Sequence, residues 1–97
     1  MRVRLELWTK EQGGRHTPAM TGYRPTFRAS TEGHGDVDLG AAEVTAPADN
    51  PMLLPGTTIE VEIAPVDLAA WGSTYAGLVL GVLEGESQVG TATILEV

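Results

Sequence analysis

The sequence predicts an all-β fold of short antiparallel strands, a barrel or a sandwich, on three observations. Apolar and polar residues alternate with a period of two in well-separated stretches, Gly and Pro turn signals recur between short apolar segments, and patterning at helical period is scarce. At 97 residues the chain suits one domain around one hydrophobic core, burying about two thirds of the surface its unfolded form exposes. A closed barrel also removes the edge strands that invite aggregation.

Val3, Leu5 and Leu7 alternate with Arg2, Arg4 and Glu6, which predicts a strand over residues 2–9 with one buried face and Trp8 on the polar one. Residues 23–30 and 36–40 are weaker strand candidates. Ala46-Pro47-Ala48-Asp49-Asn50-Pro51 reads as a loop, either an ordered crossover or an excursion from the fold. Thr58 to Ile63 repeats the strand alternation cleanly. Residues 66–74 allow one helical turn, stopped by Gly72. The nearly continuous apolar run 75–83 is too short for a typical helix, and Glu84-Gly85-Glu86 follows it, which predicts a buried strand ending in a hairpin. The partner strand covers 88–97, rich in β-branched Thr91, Thr93, Ile94 and Val97. The predicted core is Val3, Leu5, Leu7, Ile59, Val61, Ile63, Leu78, Leu80 and Val82, with Glu60 and Glu62 outward, because a one-residue slip would expose every aliphatic of 58–63.

Composition removes several function classes. There is no cysteine, hence no disulfide framework, thiolate zinc site or nucleophilic thiol. No apolar stretch approaches the length of a membrane span, and charge alternates through the first seven residues where a signal peptide needs an apolar core. The expectation is a soluble, cytoplasmic protein that does not engage a membrane. Net charge is −7, which repels phosphate-rich partners on average. All six basic side chains, Arg2, Arg4, Lys10, Arg15, Arg24 and Arg28, lie in the first 28 residues, which carry +4 net, while the other 69 residues hold eleven acids. Folding either segregates these segments into a basic face or interleaves them.

Chemistry-bearing constellations are few. His34, Asp36 and Asp38 share one face of a strand and offer a metal one imidazole and two carboxylates, or they are a solvated strand start; no metal is expected. Ser30 and His16 lack any nucleophile-elbow or oxyanion-loop pattern, so no catalysis is expected. Trp8 and Trp71 are candidates for base stacking or for partly buried core positions.

One stretch stands apart from this plain pattern. Lys10-Glu11-Gln12-Gly13-Gly14-Arg15-His16-Thr17-Pro18, followed by Gly22-Tyr23-Arg24-Pro25-Thr26-Phe27, closely resembles the start of the C-terminal β-barrel domain of elongation factor Tu. Leu54-Pro55-Gly56 and the Glu84-Gly85 and Val89-Gly90 pairs resemble later landmarks of that domain in the right order. The resemblance implies a six-stranded antiparallel closed β-barrel. The chain has no G-x-x-x-x-G-K-[ST] loop to cradle phosphates, so it resembles that third domain without its GTPase domain, and neither a nucleotide nor any other cofactor is expected.

In the family this barrel helps hold the T-arm of aminoacyl-tRNA and packs against the GTPase domain. Matching by position keeps Arg15, His16, Glu84 and Gly85 of the T-arm site, and Arg24 extends the same basic segment. Thr26, Ala64 and Leu83 stand where Gln, Lys and Arg are usual, and Glu86 and Ser87 replace a glycine and an arginine. The docking surface toward the GTPase domain falls near Gly13 and Gly81. The same residues have an architectural reading: Gly13 and Gly14 turn the chain, Pro18 and Pro25 fix its direction, and Arg15 or Arg24 pairs with a barrel carboxylate such as Glu60 or Glu62. Two function classes follow, a protein-docking module for a GTPase or translation factor and an RNA-binding module with a reduced T-arm site. A continuous basic patch around Arg15, Arg24 and Arg28 favours RNA; a mixed one favours protein.

Overall fold

Aliphatic side chains at every second position hold each strand in one register, and in the computed structural model, which describes residues 1–31 and 35–97, those strands close on themselves. They are β1 (Arg2–Leu7), β2 (Ala19–Met20), β3 (Thr26–Thr31), β4 (Gly35–Thr45), β5 (Met52–Leu53), β6 (Thr58–Pro65), β7 (Val79–Glu84) and β8 (Ser87–Glu96). Six form a closed antiparallel barrel in the order β1-β6-β4-β3-β7-β8, with β8 returning to β1, and β2 pairs with β5 in a separate ribbon. None of the described helical segments is long and apolar enough to cross a membrane.

The pairing of β1 with β6 shows how charge sets the two faces. Val3 faces Val61 and Leu5 faces Ile59, while Arg4 opposite Glu60 and Arg2 opposite Glu62 fall on the outer surface. Val3, Leu5, Leu7, Val61, Ile63, Leu80 and Val82 are buried as the alternation predicts. Phe27, Leu39, Val44, Leu53 and Ile94 are among the residues that join them in the core. Trp71 closes it from a short 3₁₀ turn, Leu68–Trp71, which begins where the Asp67 carboxylate accepts the Ala69 N–H at 3.2 Å. Its ring meets Phe27 edge to face, centroids 5.3 Å apart at 66°, the arrangement the ring quadrupoles favour.

Three expectations are corrected. Ile59 and Leu78 are half-buried, packed against the core rather than within it; Leu78 precedes β7 in a turn where its N–H donates to the Tyr75 carbonyl at 3.1 Å. The run 75–83 is therefore a strand only from Val79, and its outer face is open, with Val79 54% exposed. Trp8 lies past the end of β1, not on its polar face. The 36–40 strand candidate is present as the start of a longer β4, and 46–51 is the loop expected, leading into β5, whose Leu53 and Met52 pair with Ala19 and Met20 of β2.

Candidate functional site

The first loop is built by local hydrogen bonds. Thr9 caps a 3₁₀ turn over Lys10–Gln12: its hydroxyl accepts the Gln12 N–H at 3.2 Å while its own N–H donates to the Gln12 side chain at 2.9 Å, a reciprocal cap. Gly13 follows with φ of 94°, a left-handed geometry that an L side chain rarely adopts. A Cβ at Gly14 would stand 2.1 Å from the Trp8 carbonyl oxygen, so only glycine fits. The glycine pair thereby carries out the architectural role and aims the next residue, Arg15, across the barrel.

Arg15 lands on the end of β7. One guanidinium nitrogen donates to Glu84 Oε2, and the Tyr23 hydroxyl donates to the same oxygen. The guanidinium also lies 5.0 Å from the Tyr23 ring centroid, and its Nε donates to the Thr17 carbonyl at 3.1 Å. The pair is half-buried, at 21% side-chain exposure for Arg15 and 35% for Glu84. Burial first, and then the Glu84 carboxylate, push the Tyr23 phenol well above its ordinary range. Burial works against the Arg15 cation, but the bond and charge of Glu84 outweigh it and raise its pKa. Arg15, Tyr23 and Glu84 thus form one closed polar cluster. Gly85, with φ of 62°, opens the two-residue turn between Glu84 and Ser87 that presents the carboxylate.

The remaining candidates lie apart from this cluster. His16 is exposed beside it. Arg24 pairs with Glu43 at 3.2 Å and Arg28 with Asp38 at 2.8 Å, so Arg15 and Arg24 do pair with barrel carboxylates, but with Glu84 and Glu43 instead of Glu60 or Glu62. The register explains the change: β3 lies beside β4, so Arg28 stands directly opposite Asp38, whereas Glu60 and Glu62 stand opposite Arg4 and Arg2 on β1. Arg2 in turn pairs with Glu96 at 2.9 Å. Folding therefore interleaves the basic segment with the acidic remainder, and the surface around Arg15, Arg24 and Arg28 is mixed. Of the metal candidates, His34 lies outside the described residues, Asp38 is taken by Arg28, and Asp36 accepts the Ser30 hydroxyl at 2.7 Å.

Gly81 sits elsewhere, on the outer face of β7 between Arg28 of β3 and Thr91 of β8. It floors a cleft of about 480 Å³ that is also lined by Ser30, Asp36, Tyr75, Val79 and Leu83. Gly13 does not line that cleft, so the two glycines of the expected docking surface occupy different places. Neither the place of Tyr23 in the Arg15 cluster nor the pairing of Glu43 and Asp38 with arginines has a local signal in the sequence. Those partners sit 19 and 10 residues from their arginines in the chain, and only strand pairing brings them close. No protein-family model matches the chain.

Proposed function

We propose that this protein is a non-catalytic docking module of the elongation factor Tu C-terminal-domain kind, acting in the cytoplasm in a translation-related setting, with a GTPase or another translation factor as its partner. The observation that supports it best is the neutralisation of the arginines. Arg15 meets Glu84, Arg24 meets Glu43 and Arg28 meets Asp38. A nucleic-acid backbone gains affinity by releasing counterions around free cations, close to one unit of salt slope per phosphate neutralised. Here each guanidinium already holds a carboxylate, which a phosphate would have to displace. Ala64 and Leu83 lack the charges usual at those positions in the family, Leu83 is buried, and Glu86 adds a like charge to the last hairpin. The mixed surface and the −7 balance suit a protein partner.

The test is a titration of fluorescently labelled T-arm RNA hairpin with wild-type protein, Arg15→Ala and His16→Ala. At about 150 mM salt the expected result is weak, non-saturating binding that neither substitution changes. Saturable binding with a steep salt slope, lost in Arg15→Ala, would replace this reading with a reduced T-arm site.

A further inference from the structure

The cleft over Gly81 has a shape and a charge that bear on what it holds. Pairing between β3 and β7 stops at Ala29 opposite Leu80, although the register would continue to Ser30 opposite Val79. The two strands splay there, and β3 continues with β4 alone through Ser30 opposite Asp36. The opening is walled by Tyr75 and Val79, which are 60% and 54% exposed, and at Gly81 the Gln88 side chain lies across its floor, 3.3 Å from where a Cβ would stand. A volume of about 480 Å³ is of the order that seats one or two side chains of a short segment.

Asp36 lines the cleft, Asp38 bonds the Arg28 guanidinium at its edge, and Glu86 stands in the turn that joins β7 to β8. Arg28, the one basic residue of the described lining, is already held by Asp38, and residues 29–97 supply no lysine or arginine to offset Asp36 and Glu86. A second copy of the chain would bring the same carboxylates and the same −7 charge against it, and RNA would be repelled outright.

We propose that this cleft takes a short, extended, cationic segment of a partner protein, with an aliphatic side chain seated beside Val79 and Tyr75 against Gln88, and a flanking lysine or arginine on the carboxylate of Asp36. The proposal rests on the docking reading and names the surface and the partner chemistry. Electrostatic complementarity of this kind raises the rate of encounter and selects partners, while the buried aliphatic contact slows release.

The experiment is an amide-resolved NMR titration of the isotopically labelled full chain with a short alternating lysine–leucine peptide. A lysine–serine peptide and a glutamate–leucine peptide serve as controls, and Val79→Lys is run beside wild type. Val79 is exposed, so the variant keeps the fold, which its unchanged melting temperature verifies. The expected result is saturable shifts at Gly77, Val79, Gly81 and Thr91 with the lysine–leucine peptide alone, weakened about tenfold in Val79→Lys. The inference is overturned by absent or non-saturable shifts, by shifts elsewhere on the barrel, by equal binding of either control peptide, or by wild-type affinity in Val79→Lys. A GTPase partner that binds Val79→Lys as tightly as wild type would also overturn the cleft assignment while leaving the docking reading intact. Arginine-dependent RNA binding would instead remove the docking reading itself.

Discussion

Replacing Glu84 by alanine removes the one oxygen on which Arg15 and Tyr23 converge, and the cost can be worked from the geometry. Hydrogen bonds to a charged group contribute about 1.5–3 kcal/mol when buried, and a fully buried pair broken on one side costs about 3–5 kcal/mol. An exposed pair contributes about 0.2–1 kcal/mol. With side-chain exposures of 21% and 35%, the Arg15–Glu84 pair lies between these limits. The expected loss is about 2 kcal/mol, which lowers the melting temperature of a domain this size by about 8–16 °C. The control is Arg24–Glu43, whose side chains are 62% and 45% exposed; Glu43→Ala is expected to cost below about 1 kcal/mol. The assay is urea unfolding followed by the fluorescence of buried Trp71 together with far-ultraviolet circular dichroism. Double-mutant cycles with Arg15→Ala and Arg24→Ala isolate the coupling in each pair. A Glu84→Ala loss within about 0.5 kcal/mol, or a coupling no larger than that of Arg24 with Glu43, would refute the claim that a closed cluster holds the first loop on β7.

Tyr23 is expected to ionise above the ordinary phenol value of about 10 when followed by phenolate absorbance in Tyr75→Phe. Because its folded pKa is raised, the neutral phenol's contribution to stability is fully present below the unfolded phenol value of about 10 and is lost as pH rises from there through the folded pKa; phenolate forming at or below about 10 in the folded protein would contradict this. Val61→Asp places an unpaired charge in a position that is 3% exposed and is expected to abolish cooperative unfolding, whereas a native-like variant would mean the barrel faces are reversed. GTP or GDP with magnesium is expected to leave the melting temperature unchanged, since a ligand that binds the folded state raises it. A saturable rise would place a nucleotide site on this barrel.

The legible parts of the fold are those in which charge and aliphatic side chains alternate. Arg2 to Leu7 and Thr58 to Ile63 carry both signals, so their strands, their inward faces and the outward Glu60 and Glu62 follow from period alone. β4 is less legible because Ala41 and Ala42 have little strand preference and the pattern there is not alternating. β2 and β5 are held by pairing across more than thirty residues, for which no local pattern exists. The run 75–83 misleads because exposure of Val79 and Tyr75 depends on where β3 stops pairing, a property of the neighbouring strand. At the site, Arg15 and His16 stand out by residue type after two glycines. That Glu84, 69 residues away, holds the guanidinium is decided by the closure of β7 and β8 against the first loop.

The docking reading is tested most directly by isothermal titration of the full chain with the isolated GTPase domain of an elongation factor Tu, in parallel with T-arm RNA, at about 150 mM salt. The account predicts saturable heat with the protein partner, abolished by Gly81→Lys in a variant of unchanged melting temperature, and none with the RNA. Heat with the RNA alone, lost in Arg15→Ala and retained in Gly81→Lys, would contradict it.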